Sequence, residues 1–300
     1  MGRGLMRAAR ALAALGLALA ALAARALTFV DDGGATVTLR APAQRIVSLA
    51  PHVTELLYAA GAGGHVVGTV AYSDYPAPAK GLPRVGDVNA LDLERLVALK
   101  PDLVIVWGSG SPRAQLDVLA ALGVPVYASE PRSLDDIGAA IERFGALAGT
   151  SADAGAAARR YRERLAALRA HWRGRDPVSV FHQVWDEPLM TVNDTSLISQ
   201  VIALCGGRNV FGGLRALVPQ VSIEAVLDAD PEVIGTAALG TPAEAGLGLW
   251  FGWPHLKAVA RSNFYVVDPD LLTRATPRIL DAAAQVCAAL DGARSRRPRP

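Results

Sequence analysis

Residues 150–174 read TSADAGAAARRYRERLAALRAHWRG. Apolar side chains recur at Ala157, Tyr161, Leu165, Leu168 and Trp172, a spacing of three or four that puts them on one helical face. Arg159, Arg160, Arg162, Glu163 and Arg164 fall on the other. Thr150 with Asp153 reads as a variant capping box, and Gly174 is a natural stop. At about 1.5 Å per residue such a helix is ~33 Å long, the width of a small domain. It sits mid-chain between two stretches of similar pattern. It is therefore expected to be a strut joining two lobes; the plainer alternative is a surface helix of one domain.

Before it, a hairpin is expected over Leu27–Leu39, turning at Asp31-Asp32-Gly33-Gly34. Strands follow at Arg45–Ala50, Val66–Val70, Leu103–Trp107 and Val124–Tyr127. Helices alternate with them at Pro51–Ala60 (with Thr54 as a cap), Leu91–Leu99, Arg113–Leu122 and Leu134–Ala148. After it come strands at Val178–Val184, Glu232–Gly235 and Asn263–Val267. Their helices are Leu197–Leu204, Ile223–Asp228, His255–Val259 and Pro277–Leu290, with a Gly-rich loop at Gly240–Gly252. Such alternation means parallel, helix-covered sheets. The expected fold is α/β: an N-terminal lobe over 27–149, the linking helix over 150–174, a C-terminal lobe over 175–292 and a disordered tail over 293–300.

The 300 residues suffice for two domains. The first 26 have the parts of a cleavable export signal: Arg3, Arg7 and Arg10, then an apolar run from Ala11 to Ala23, then small residues ending at Ala23 or Ala26. The run is short for a membrane span. Losing this leader, with Arg25, takes the net charge from +2 to about −2, and nothing favours nucleic acid. Cys205 and Cys287 are an even pair, which in an exported protein favours a disulfide over two separate buried thiols.

Catalytic patterns are weak. Gly108-Ser109-Gly110-Ser111-Pro112 only loosely resembles a nucleophile elbow. Gly61-Ala62-Gly63-Gly64 ends a helix, whereas a dinucleotide fingerprint opens one. The five histidines form no metal-type pair, so no metal or cofactor is expected. The informative residues lie at the C-terminal ends of expected strands, where open α/β sheets bind ligands. They are Tyr72, Tyr75, Trp107, Trp185, Asp270 and Arg274. Aromatics there can cover a broad planar ligand; packing of the lobe edge is the alternative, and a local ion pair for Asp270 and Arg274.

The segments RIVSLAP and TELLYAAG (45–61), AYSDYP (71–76), LERLVALKPDLVIVW (93–107), CGGRNVF (205–211), PQVSIEAVL (219–227) and RATPRI (274–279) carry a family resemblance. Over residues 40–292 the chain resembles the substrate-binding proteins of iron-siderophore, haem and cobalamin ABC importers, the class with a helical backbone between two lobes. AYSDYP, the cysteine placement and the 270–278 segment are most similar to the cobalamin-binding members. The resemblance implies a periplasmic, monomeric binding protein, not an enzyme. It would capture cobalamin or a related corrinoid and deliver it to a permease and ATPase complex at the inner membrane. It implies ligand contacts at Tyr72, Trp107 and the loop Asp270, Leu271, Leu272, Thr273, Arg274, and a Cys205–Cys287 disulfide. Glu94 and Glu224 match carboxylates that dock on permease arginines; a favourable helix-start position is the plainer account. Where cobalamin-binding members carry further aromatics, this chain has Val88, Val184 and Val218. Trp185 could replace one only if its strand has already ended. Haem or a ferric siderophore is the alternative ligand, Tyr75 matching an axial tyrosine of haem-binding relatives. An exported α/β hydrolase is a more distant reading.

Overall fold

The computed structural model describes residues 26–87 and 90–298. Residues 1–25 of the expected leader (1–26), Val88 and Asn89, and Arg299 and Pro300 lie outside it. A hairpin of β1 (Leu27–Val30) and β2 (Thr36–Leu39) opens the chain. The N-terminal lobe holds β3 (Ile46–Ser48), β4 (Val66–Thr69), β5 (Leu103–Trp107) and β6 (Val126–Ser129). They form a parallel sheet in the order β4-β3-β5-β6. The C-terminal lobe begins with β7 (Val178–Gln183) and a short antiparallel hairpin, β8 (Trp185–Asp186) with β9 (Leu189–Met190). Its other strands are β10 (Gly207–Asn209), β11 (Val233–Ala237) and β12 (Phe264–Val267), in the parallel order β10-β7-β11-β12. Numbered within each lobe, both sheets therefore run 2-1-3-4. In such sheets the crevice for ligands opens where successive connections leave in opposite directions, between strands 1 and 3. That is β3 and β5 in one lobe, β7 and β11 in the other.

The linking helix spans Ser151–Trp172, between the two sheets as expected. Ala154, Ala158, Tyr161 and Leu165 are its buried positions. Its start differs from the expected capping box. Thr150 caps nothing with its side chain; its hydroxyl donates to the Ala60 carbonyl (2.7 Å). The competing acceptor is the buried C-cap carbonyl of the helix Pro51–Ala59, so Thr150 ties two helices together instead. A Cβ on Gly145 would come within 2.2 Å of Ala154, so a glycine lets Leu134–Ala148 lie flush against the linking helix. The arginine face reaches both lobes: Arg162 pairs with Glu142 and Arg169 with Asp135, while Arg164 pairs with Asp281.

One hydrophobic cluster runs through both lobes and the linking helix. It joins Ile46, Leu57 and Phe144 to Leu165, Val180, Ile279 and Leu290 without a break. Cys205 and Cys287 form a disulfide that fastens the end of Leu197–Leu204 to the helix Ile279–Ser295.

Three further expectations need correction. Thr54 is not a cap: Pro51 opens its helix, and the buried Thr54 hydroxyl bonds Ser48 (2.8 Å) and Thr69 (2.9 Å). Proline suits the first helical position because its missing N–H would be unpaired there anyway. The expected disordered tail is ordered as far as residue 298. The closing helix continues to Ser295, Arg294 donates to the carbonyls of Asp176 and Cys205, and Arg297 forks onto Glu232 (2.8 and 2.9 Å). An Arg-rich stretch reads as disordered until its acceptors, distant in sequence, are in place. Finally β10 and the β8–β9 hairpin were not foreseen; Gly-Arg-Asn has no apolar run to announce a strand.

Candidate ligand-binding cleft

At the C-terminal edge of the first sheet, β3, β4 and β5 deliver Leu49–Pro51, Val70–Tyr72 and Trp107–Pro112 to one cavity of about 250 Å³. Tyr72 and Trp107 both line it and both are exposed. Tyr72 has φ of 62°, in the left-handed region that bulky residues avoid. Such strain persists where surrounding contacts over-determine the backbone, and it clusters at ligand clamps. Here the Tyr72 carbonyl accepts from Arg274 (3.4 Å).

Trp107 is held from two sides. Its indole N–H donates to Glu130 (3.3 Å), which also accepts from the Ser109 N–H (2.6 Å) and hydroxyl (3.0 Å). Its ring meets the edge of His52 at 5.6 Å. Gly110 lies against the indole so closely that a Cβ would approach it to 1.9 Å. The Gly-Ser-Gly-Ser stretch thus serves as a seat for the tryptophan. Burial drops the His52 pKa to about 4, with Glu130 opposing and Arg274 reinforcing that drop.

The 270–274 loop follows β12 as a short helix, Pro269–Leu272, capped by Asp268, whose side chain accepts from the Asp270 N–H (2.8 Å). Arg274 turns from the C-terminal lobe towards the N-terminal one. It meets Asp270 at 2.5 Å and Glu55 at 3.0 Å. Arg278 also reaches Glu55, at 2.8 and 2.6 Å, and lies over the Tyr75 ring at 3.9 Å. Glu55 is almost wholly buried and accepts three of the hydrogen bonds that cross between the lobes here. Burial raises the Asp270 pKa, with Asp268 and Asp74 adding to the rise against Arg274.

The remaining expected residues are placed as follows. Leu272 is fully buried in the core, so it is corrected from ligand contact to packing; the helical turn points it inward. Leu271 is partly buried against the same core, and Thr273 is exposed with its hydroxyl donating to Pro269. β7 has ended at Gln183, so Val184 and Trp185 are both exposed; Trp185 sits on β8 with its indole N–H on the Glu187 carbonyl (2.9 Å). Val218 is exposed too. Glu94 and Glu224 are each the second residue of a helix (Leu93–Ala98 and Ile223–Ala229), exposed, behind side-chain caps from Asp92 and Ser222. Tyr75 is half-exposed and engaged with Arg278.

Glu55, Glu130, His52 and Arg278 were missed as residues around the site. Only Glu55 left a sequence signal, a carboxylate inside the apolar helix PHVTELLYA. Among the described residues no cluster of His, Cys, Asp and Glu could hold a metal.

A family profile described as Periplasmic binding protein matches residues 46–271. The chain belongs to that family. Among its curated members, the Vitamin B12-binding protein of Vibrio parahaemolyticus is 38% identical over 257 residues, 85% of this chain and 92% of that protein. The Vitamin B12-binding protein of Vibrio cholerae is 40% identical over 247 residues, 82% of this chain and 88% of that one. Among solved family structures, the periplasmic Vitamin B12 binding protein of Vibrio cholerae superposes with a TM-score of 0.77 at 39% identity, covering 84% of this chain and 98% of the other. A periplasmic heme-binding protein from Roseiflexus reaches 0.74 at 26% identity, covering 83% and 99%. Members of the family are periplasmic solute-binding proteins of two α/β lobes and a long helix, and this chain shares that architecture.

Proposed function

We propose that this protein captures cobalamin or a related corrinoid between its lobes and presents it to an ABC-type permease, with no covalent chemistry. The observation that carries the reading is the pairing of Tyr72, strained and solvent-facing, with Trp107, seated by Glu130 and Gly110, over one apolar cavity. Two rings held open at a strand switch point suit the face of a large macrocycle, which gains by burying apolar area. Trp185, on the second lobe, is the proposed third ring. The similarity to Vitamin B12-binding proteins supports the same ligand class.

Residues 1–26 act as the export signal in this reading, and the mature chain works as a monomer. Glu94 and Glu224 dock on the permease: equivalent helices of two lobes with the same strand order present them alike. Calorimetric titration of the mature protein with cyanocobalamin, haemin and a ferric siderophore tests the ligand. Micromolar or tighter binding of cyanocobalamin alone is expected; binding of haemin in its place would sink the proposal. Alanine at Glu94 and Glu224 together is expected to stop uptake while leaving ligand affinity unchanged, and surviving uptake would remove the docking role.

A further inference from the structure

The ion cluster between the lobes has an uneven arrangement. Its two guanidinium groups are withdrawn from solvent, with side-chain exposures of 13% for Arg274 and 18% for Arg278. The buried Glu55 carboxylate, at 2% exposure, takes bonds from both. Arg274 also bonds Asp270 and donates to the Tyr72 carbonyl, and Arg278 is roofed by Tyr75. The carboxylates around it are the exposed members: Asp270 at 40% and Asp74 at 51%, the latter 3.9 Å from Arg274. Asp268 stands behind Asp270; burial is the main cause that raises the Asp270 pKa, and Asp268 and Asp74 add to the rise. Arg84, on the same side of the lobe, is committed to the Ser73 carbonyl (3.0 Å). An approaching ligand therefore meets acceptors that cannot donate, while the positive charges face inward.

Macrocycles of this general size differ in what their rims carry. Cobalamin bears neutral carboxamide side chains, whose N–H groups donate. Haem bears carboxylates, which only accept and are negatively charged. A carboxylate acceptor bonds the first and repels the second.

We propose that Glu55 sets this preference: by occupying both Arg274 and Arg278 it keeps their charges from the ligand and leaves Asp270 and Asp74 to receive amide N–H donors. Glu55 is thus a specificity-positioning residue that acts through its two arginines, and the assignment rests on the corrinoid reading above. Discrimination of this kind arises as much from a repulsive element as from an attractive one.

The test compares Kd values for cyanocobalamin, for the same corrin with its side-chain amides hydrolysed to acids, and for haemin. Wild type is expected to favour the amide form. Glu55→Gln removes the carboxylate charge and turns one of its two acceptor oxygens into an N–H donor, so the two guanidinium groups are held more weakly and their charge is no longer compensated. The preference for amide over acid forms is then expected to fall by about tenfold or more, the usual size of one charge-assisted hydrogen bond. Asp270→Asn leaves the buried triad intact and is expected to shift the ratio in the same direction, so it serves if Glu55→Gln does not fold. Wild type that binds no corrinoid overturns the corrinoid reading and this assignment together. Wild type that prefers cyanocobalamin, with either folded variant keeping the wild-type ratio, overturns this assignment alone.

Discussion

Glu55 and Arg278 are joined through two hydrogen bonds of 2.8 and 2.6 Å although 223 positions separate them in the chain. One lies on the first helix of the N-terminal lobe, the other at the start of the last helix of the C-terminal lobe. Removing one partner of a buried pair leaves an uncompensated charge. Breaking such pairs costs about 3–5 kcal/mol, and the residual exposure of the arginines puts this one at the lower end. Glu55→Ala is therefore expected to lower unfolding free energy by about 3 kcal/mol, measured by urea denaturation with an unchanged m-value. A loss below about 1 kcal/mol would mean that water already screens the bridge.

Acid should weaken the fold through two buried histidines. Burial lowers the His52 pKa to about 4 and that of His182 to about 3, from an ordinary 6.5. The unfolded chain then binds protons that the folded one refuses. Stability is full above pH ~6.5 and falls as pH drops, by about 1.4 kcal/mol per pH unit for each histidine, down to ~4 for His52 and ~3 for His182. His52→Asn should remove about one proton from that slope. An identical slope in wild type and variant would show that His52 takes up its proton without cost.

Tyr72 should separate stability from affinity. Its φ of 62° costs nothing to glycine. Tyr72→Gly is expected to change stability by less than about 1 kcal/mol, because lost strain offsets the added freedom of the unfolded chain. Cobalamin affinity should nevertheless fall at least about tenfold, given what one buried aromatic contributes. Equal affinity in a titration would remove Tyr72 from the ligand's surroundings.

The Cys205–Cys287 bond closes a loop of sequence separation 82. Chain-entropy reasoning gives it about 4 kcal/mol. Reduction, or serine at both positions, should lower the melting temperature markedly. It should leave cobalamin affinity nearly untouched, since the bond lies at the start of β10, at the opposite sheet edge from the cleft. A large affinity loss with an unchanged melting temperature would contradict this placement.

Periodicity alone located the strut: Tyr161 and Leu165 are buried where a 3.6-residue repeat puts them. Leu103–Trp107 and Leu134–Ala148 have the bounds expected for them, and in the structure a Ser133 capping box opens the second. The site was legible only where an aromatic follows a strand, as with Tyr72 and Trp107. Its supporting shell was not. Glu130 matters because it reaches Trp107 across 23 positions, and Glu55 because it reaches Arg274 across 219. Nothing local distinguishes Glu130 from a surface carboxylate, and Glu55 stands out only as a charge inside the apolar helix PHVTELLYA, which does not say what it pairs with. The reverse error has the same root: Leu272 looks like its neighbours in the loop until the turn of the Pro269–Leu272 helix decides which way it faces.

The hydrophobic cluster that passes unbroken from one lobe through the strut to the other makes the protein a single folding unit. Each lobe also has a smaller cluster of its own, around Phe181 and Trp250 in one and Val104 and Leu119 in the other, but the shared cluster is the larger, so an excised lobe would expose a broad apolar wall and aggregate. Heating is expected to give one calorimetric peak instead of two. Evolutionary change of ligand in this chain must then work by altering the rim, because exchanging a whole lobe would cut through the middle of its core.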